Sequence, residues 1–163
     1  MQKLTFTETK DYETLAAMAR DSWHSAYDLL LGAAQVDYML NKFQSAAALK
    51  VQTERQGYTY YFLSLGEERV GYCGLQDQKQ DLFLSKVYLG EEYRSRGLGQ
   101  EALAFAVAEG KRRGKKRVYL TVNKHNARAI RAYEKFGFIR EGEECAAIGE
   151  GYYMDDYIYG YRL

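Results

Sequence analysis

The chain contains no proline, so its turns must be made by glycine, asparagine and aspartate. Cysteine is nearly as scarce. Cys73 and Cys145 are too few for a disulfide framework or a zinc set, and no metal is expected. No apolar run reaches the roughly 18 residues of a membrane-spanning helix, so no membrane partner is expected. Neither sign of charge dominates: 23 Lys and Arg stand against 22 Asp and Glu, leaving +1. A nucleic-acid coat needs a basic face, and that partner is not expected either. Met1 to Glu8 hold no apolar core of the signal-peptide kind. Together with two unpaired cysteines, this gives the expectation of a cytoplasmic protein.

What the chain does have is enough apolar material for a core, 47% of its 163 residues. A length of that order favours one domain, residues 1–163. Sixteen tyrosines are many, and most are expected to fill core or interface with one polar end.

Read in order, Leu4 to Thr7 alternates like a strand. Asp11 to Tyr27 has Leu15, Met18, Ala19, Ser22 and Trp23 at helical spacing, with Asp11 as N-cap. Residues 29–40 and 45–56 follow as two further helical pieces, the second capped by Ser45 and closed by Gly57. The period then changes. Residues 58–65 and 69–75 form a hairpin around Gly66, and residues 82–89 form a central strand. A helix begins near Leu98 and stops at Gly114. Cations at 111–113 and 115–117 surround that stop, where they complement the helix dipole. Residues 118–122 are a strand, and residues 127–136 a helix capped by Asn126 and closed by Gly137. Residues 138–145 and 152–161 close the chain as strands. This order is α/β with a mixed sheet.

The most informative stretch is Arg94-Ser95-Arg96-Gly97-Leu98-Gly99-Gln100. It joins a strand to a helix. Unpaired N–H groups and the positive dipole end at a helix start suit a phosphate. Gly97 and Gly99 let an anion approach the backbone. The stretch is neither a P-loop, because no Gly-Lys-Ser/Thr follows, nor the dinucleotide G-x-G-x-x-G fingerprint. On its own it is also compatible with an ordinary glycine-bearing turn.

Two segments together resemble the GCN5-related N-acetyltransferases, the GNAT superfamily. Arg94 to Gly99 is similar to that family's Q/R-x-x-G-x-G/A signature. Asn123-x-x-Asn126-x-x-Ala129-x-x-x-Tyr133-x-Lys135-x-Gly137-Phe138 is similar to its second acetyl-CoA element. The element order resembles the family's from Leu4 to Leu163. Trp23-His24-Ser25-Ala26-Tyr27, residues 83–89 and Met154-Asp155-Asp156-Tyr157 look like a bacterial subgroup that includes PaiA-type polyamine acetyltransferases.

The resemblance implies a GNAT-like mixed central sheet with splayed strands and flanking helices. Acetyl-CoA would lie where the strand at 82–89 parts from the strand at 118–122. Backbone groups of Val87, Tyr88 and Leu89 would bind the acetyl carbonyl and pantetheine. Amides of Ser95, Arg96, Gly97, Leu98, Gly99 and Gln100 would cradle the pyrophosphate, helped by Arg94 and Arg96. Asn123 and Asn126 would bind pantetheine or shape their loop. Tyr133 stands at the family's general-acid position, and a phenol can protonate a departing thiolate. Gly90 departs from the pattern, because many relatives have proline there.

The implied reaction is acetyl transfer from acetyl-CoA to a primary amine, with a small polycation such as a polyamine as first expectation. A protein N-terminus or lysine is the alternative acceptor. A non-catalytic acyl-CoA sensor is the alternative of another class. For the general base, Asp77, Glu143, Glu144, Asp155 and Asp156 stay open. His24 and His125 are expected to be structural, and Trp23 and Tyr27 either line the acceptor groove or belong to the core. A homodimer is expected, because the closing strand at 152–161 is tyrosine-rich and falls near the sheet's end.

Overall fold

The computed structural model describes residues 3–94 and 96–163. The elements are β1 (Thr5–Thr9), α1 (Tyr12–Leu31), α2 (Ala33–Phe43), α3 (Ala46–Arg55), β2 (Tyr58–Leu65), β3 (Glu68–Asp77), β4 (Asp81–Leu89), α4 (Leu98–Arg112), β5 (Arg117–Asn123), α5 (Ala127–Phe136), β6 (Ile139–Gly149) and β7 (Tyr152–Arg162). The strands form one seven-stranded mixed sheet in the order β1-β2-β3-β4-β5-β7-β6. All pairs are antiparallel except β4 with β5.

Caps set the helix starts as expected. Asp11, Ser45 and Asn126 each accept a hydrogen bond from the backbone N–H three residues on. The first break between helices differs from expectation. The spacing suggested a stop near Tyr27 and a restart at Leu29, but α1 continues to Leu31 and the chain turns at Gly32, where φ is +83°. Glycine adopts that conformation without the Cβ penalty, so the turn forms there.

The helices pack on opposite faces of the sheet. On one face α4 and α5 cover Leu82, Leu84, Val118, Leu120, Val122 and Tyr159. On the other, α1 to α3 bring Leu15, Trp23, Val36, Met39 and Leu49 against Tyr60, Phe62 and Tyr72. Four of the six cations around Gly114 are held locally. Arg112 and Arg113 pair with Glu109, Lys115 with Asp77, and Arg117 with Asp81 and Glu141. These partners explain them as helix-end and strand-edge charges.

The strand Tyr152–Arg162 is not at the sheet's edge. It lies between β5 and β6, and β6 carries the free edge. Chain order misleads here because the last strand inserts beside β5 instead of adding to the outside. β6 also carries Glu141, Glu143 and Glu144; Glu141 pairs with Arg117 and Arg162, and Glu143 with Lys124.

Two irregularities in β4 set up the rest. Its pairing with β5 covers only Asp81–Arg117, Leu82–Val118 and Phe83–Tyr119, and the strands then part. Its register with β3 shifts between Gly74–Lys86 and Leu75–Leu84, leaving Ser85 as the extra residue of a bulge. Leu82 and Leu84 face the α4/α5 side. Simple alternation would send Lys86 and Tyr88 there too. The bulge reverses this. Val87 and Leu89 pack on the α4/α5 core, while Lys86 and Tyr88 turn to the α1/α2 side against Trp23.

Beyond the bulge β3 runs very close to β4. A Cβ on Gly71 would lie 1.9 Å from the Tyr88 carbonyl oxygen and 2.9 Å from its carbon. Both atoms are backbone and cannot rotate away. Gly71→Ala should therefore destabilise the fold by about 1–3 kcal/mol or more, the usual range for overpacking. Urea denaturation measures this, and a midpoint equal to wild type would show that the strands separate freely.

Candidate active site

The parting of β4 from β5 opens a cavity continuous with solvent; with the open solvent counted, the empty space measures about 680 Å³. Strand residues Ser85 to Tyr88 and Thr121 to Asn123 form its walls, with Trp23 and Tyr27 of α1, Met39 of α2 and Tyr133 of α5. Tyr153, Met154 and Asp156 of β7 close it. The cavity thus passes through the sheet, joining the α5 side to the α1/α2 side.

Val87 and Tyr88 line this space, and β4 has no strand partner there on the β5 side. Leu89 is engaged differently: its carbonyl accepts a hydrogen bond from Arg94 Nε at 3.3 Å. Arg96 is exposed and its Nη1 donates to the Glu92 carbonyl at 3.5 Å. Ser95 lies outside the described residues. Gly97 stands at the N-terminus of α4 in the left-handed conformation, φ +78°, and Leu98, Gly99 and Gln100 form the first turn. Gln100 is turned toward α5, donating from Nε2 to the Ala132 carbonyl at 2.9 Å. Asn123 lines the cavity and accepts from the His125 N–H at 2.9 Å; Asn126 caps α5. The asparagines therefore hold the β5–α5 loop.

Tyr133 is half-buried in the cavity wall, and among the described residues its hydroxyl makes no protein hydrogen bond. Burial pushes the phenol above its ordinary pKa, with nearby Tyr27 adding to the effect. It stays protonated at neutral pH, as an acid must before it acts.

Of the candidate bases only Asp156 lines the cavity, at 8% exposure. Burial pushes it up to about 6. Lys86 opposes that shift, while Glu144 and Asp155 add to it. Asp77 pairs with Lys115 across the sheet, and Asp155 and Glu143 pair with Lys124. His24 is clasped between Asp28 of α1 and Asp37 of α2, each at 2.7 Å, which ties the two helices together. His125 is exposed on its loop. Trp23 and Tyr27 line the cavity while Trp23 is also core, at 2% exposure.

Sequence reasoning missed Lys86. The residue belongs to an apolar-alternating strand, and only the Ser85 bulge turns it into the cavity. Its Nζ lies 4.3 Å from the Trp23 ring centre. Burial pushes it down to about 8, with Asp156 opposing.

The model of the acetyltransferase (GNAT) family matches residues 18–138. The chain belongs to that family. Its fold agrees with GNAT enzymes of known structure. The PaiA N-acetyltransferase from Thermoplasma acidophilum, in complex with coenzyme A, superposes with a TM-score of 0.80 over 100% of this chain and 99% of that one, at 20% identity. That likeness speaks to the fold alone. In sequence, the chain is 25% identical over 156 residues to an uncharacterized N-acetyltransferase of Lactobacillus delbrueckii subsp. lactis, covering 91% of this chain and 90% of that protein. Over 63 residues it is 35% identical to the spermine/spermidine N(1)-acetyltransferase of Bacillus subtilis (strain 168), 38% of this chain and 41% of that enzyme. As a GNAT-family acetyltransferase the protein is an acyltransferase, and the donor of that chemistry is acetyl-CoA.

The residues fit such a donor. A Cβ on Gly97 or Gly99 would meet nothing within 4 Å, so open space lies over the first turn of α4, where N–H groups lack helical partners. The unpaired side of β4 offers backbone groups alongside. Gly99 gives the cleaner test of this cradle, because a side chain at Gly97 would be strained by its positive φ alone. Gly99→Val should leave thermal stability close to wild type yet weaken acetyl-CoA binding at least about tenfold, by filling the approach to the amides. Unchanged affinity by calorimetry would move the pyrophosphate elsewhere.

Proposed function

We propose that the protein transfers acetyl from acetyl-CoA to the primary amine of a small molecule, with Asp156 as base and Tyr133 as acid. The observation that carries the reading is that both groups line one cavity running through the sheet between β4 and β5. Bound acetyl-CoA supplies a thioester carbonyl and a sulfur that leaves as thiolate. Val87 and Tyr88 offer backbone groups to orient it, and the α4 N-terminus, with Arg94 and Arg96 near it, suits its pyrophosphate. Asp156 removes the proton that an ammonium must lose before attack. A base at about 6 is ionised at neutral pH and still basic enough to share a proton. Tyr133 keeps a proton at Oη for the sulfur.

A cavity walled by α1, α2, β4, β5, β7 and α5 suits a small acceptor better than a protein N-terminus or a lysine on an open surface. The Bacillus subtilis match is the support for a polycation. The walls give it less, because they carry one cation, Lys86, beside one carboxylate, Asp156. An unengaged phenol in the cavity supports an enzyme over a non-catalytic sensor. We take the protein to act in the cytoplasm, where acetyl-CoA is available, as a single domain.

The acid and base are separable by mutation. Tyr133→Phe keeps the ring, so acetyl-CoA should still bind while kcat falls by about 10²–10⁴-fold. In wild type, kcat/KM should rise with pH through about 6 as Asp156 loses its proton. Asp156→Asn should abolish that limb along with most activity. Near-wild-type kcat in Tyr133→Phe, or an unchanged acid limb in Asp156→Asn, would remove that residue from the chemistry.

The homodimer belongs to the same proposal, transferred to the β6 end of the sheet. There Ile139 is 70% exposed on the free-edge strand and Tyr153 is 59% exposed on its neighbour. Light scattering at micromolar concentration should give twice the chain mass, and a monomer mass would overturn this.

A further inference from the structure

Among the described residues, Lys86 and Asp156 are the two charged side chains lining the cavity, and they are not in contact. Lys86 leaves β4 just after the bulge and lies over the Trp23 ring. Asp156 leaves β7 opposite Asn123 of β5. In the sheet β5 lies between their two strands. No salt bridge joins them, and among the described residues Lys86 Nζ makes no hydrogen bond. Each nonetheless feels the other's field across the space. The remaining walls mix apolar side chains, Trp23, Leu31, Met39 and Met154 among them, with tyrosines and the polar Gln35, Ser85, Thr121 and Asn123.

A half-buried cation whose compensation is the Trp23 face and a carboxylate across the space still lacks a contacting counter-ion for its lost hydration. A ligand that brings an anion to Lys86 removes that cost. A bare diamine or polyamine adds a second cation beside it instead. The Trp23 face fixes where the ammonium sits, so the anion would be held in one place and the amine would be held at a set distance from it, next to Asp156.

We infer that the acetyl acceptor is an amine bearing an anionic group on the same molecule, the anion held by Lys86 and the amine by Asp156. This rests on the amine-acetylation reading above and names its substrate class. The anion is a carboxylate or a phosphate; both match an ammonium, and the apolar walls leave room for a hydrocarbon portion between or beside the charges. In the transfer, Asp156 takes the proton that the ammonium loses before attack; the amine nitrogen then forms the new bond to the acetyl carbon, and the second proton it sheds replaces the one that Tyr133 gives to sulfur. The carbon–sulfur bond breaks and coenzyme A leaves with a proton on sulfur. Lys86 takes no part in bond making and acts as a specificity residue.

Matched acceptors test this with the intact protein and acetyl-CoA, following release of free thiol. The pairs are L-phenylalanine and L-methionine against their amides, 4-aminobutanoate against its amide, and O-phosphoethanolamine against ethanolamine, with spermidine alongside. At least one anionic acceptor should exceed its neutral counterpart about 10–100-fold in kcat/KM, chiefly through KM, the worth of one charge-assisted contact. The carboxylate and phosphate pairs show which anion is preferred. In Lys86→Met the preference should collapse toward one, and Lys86→Glu should reverse the order in favour of spermidine. Neutral acceptors or spermidine matching every anionic one in wild type would overturn the inference while leaving amine acetylation intact. So would a preference that survives Lys86→Met. Tight acetyl-CoA binding with no turnover of any amine would overturn both. The wild-type comparison needs no variant, so a misfolded mutant leaves the inference open to refutation.

Discussion

Everything at the site depends on β4 ceasing to pair with β5 after Phe83. A parallel pair that continued to Leu89 would satisfy its backbone groups internally and leave no room between the strands. Once the strands part, unpaired backbone and a cavity appear together, in the middle of an otherwise continuous sheet. The sheet tolerates the gap because both neighbours are held on their outer sides. β4 is paired to β3 as far as Gly71–Leu89, and β5 is paired along its whole length to β7.

The Ser85 bulge does a second job. It changes which side chains of β4 face which core, so hydrophobic Val87 and Leu89 stay with α4 and α5 while Lys86 and Tyr88 face α1 and α2. A one-residue shift in a strand exchanges its two faces. Here that exchange converts the far half of β4 from core lining into the wall of a cavity. Further along the same pair of strands, Gly71 accommodates the short approach of β3 to the Tyr88 carbonyl.

The charges follow from this geometry. Asp156 on β7 and Lys86 on β4 have β5 between their strands, so each is partly stripped of water without the contact that would neutralise it. Their acid–base behaviour moves toward neutrality from opposite directions, up for the carboxyl and down for the ammonium. A contact pair would hold both charged and inert. Elsewhere the chain's ionic groups do make such pairs, as Arg117 does with Asp81 and Glu141, and those are structural.

Much of this was legible in the sequence. Apolar periodicity and the capping residues Asp11, Ser45 and Asn126 are local signals, and they set most element starts. Glycines follow four of the five helices, at Gly32, Gly57, Gly114 and Gly137, and set those stops because a positive φ is a local demand. The two motifs, at residues 94–99 and 123–138, pointed to the family because they are contiguous stretches whose chemistry lies in backbone and nearby side chains. The sequence did not reveal that β7 inserts beside β5, since strand order is decided by long-range pairing. Nor did it reveal which acid among Asp77, Glu143, Glu144, Asp155 and Asp156 enters the cavity, because whether a strand acid faces solvent or a gap in the sheet is decided by tertiary packing. Lys86 was hidden for a related reason. Its side is set by a bulge that depends on how β3 and β4 pair, and that pairing exists only once residues distant in sequence meet across the sheet.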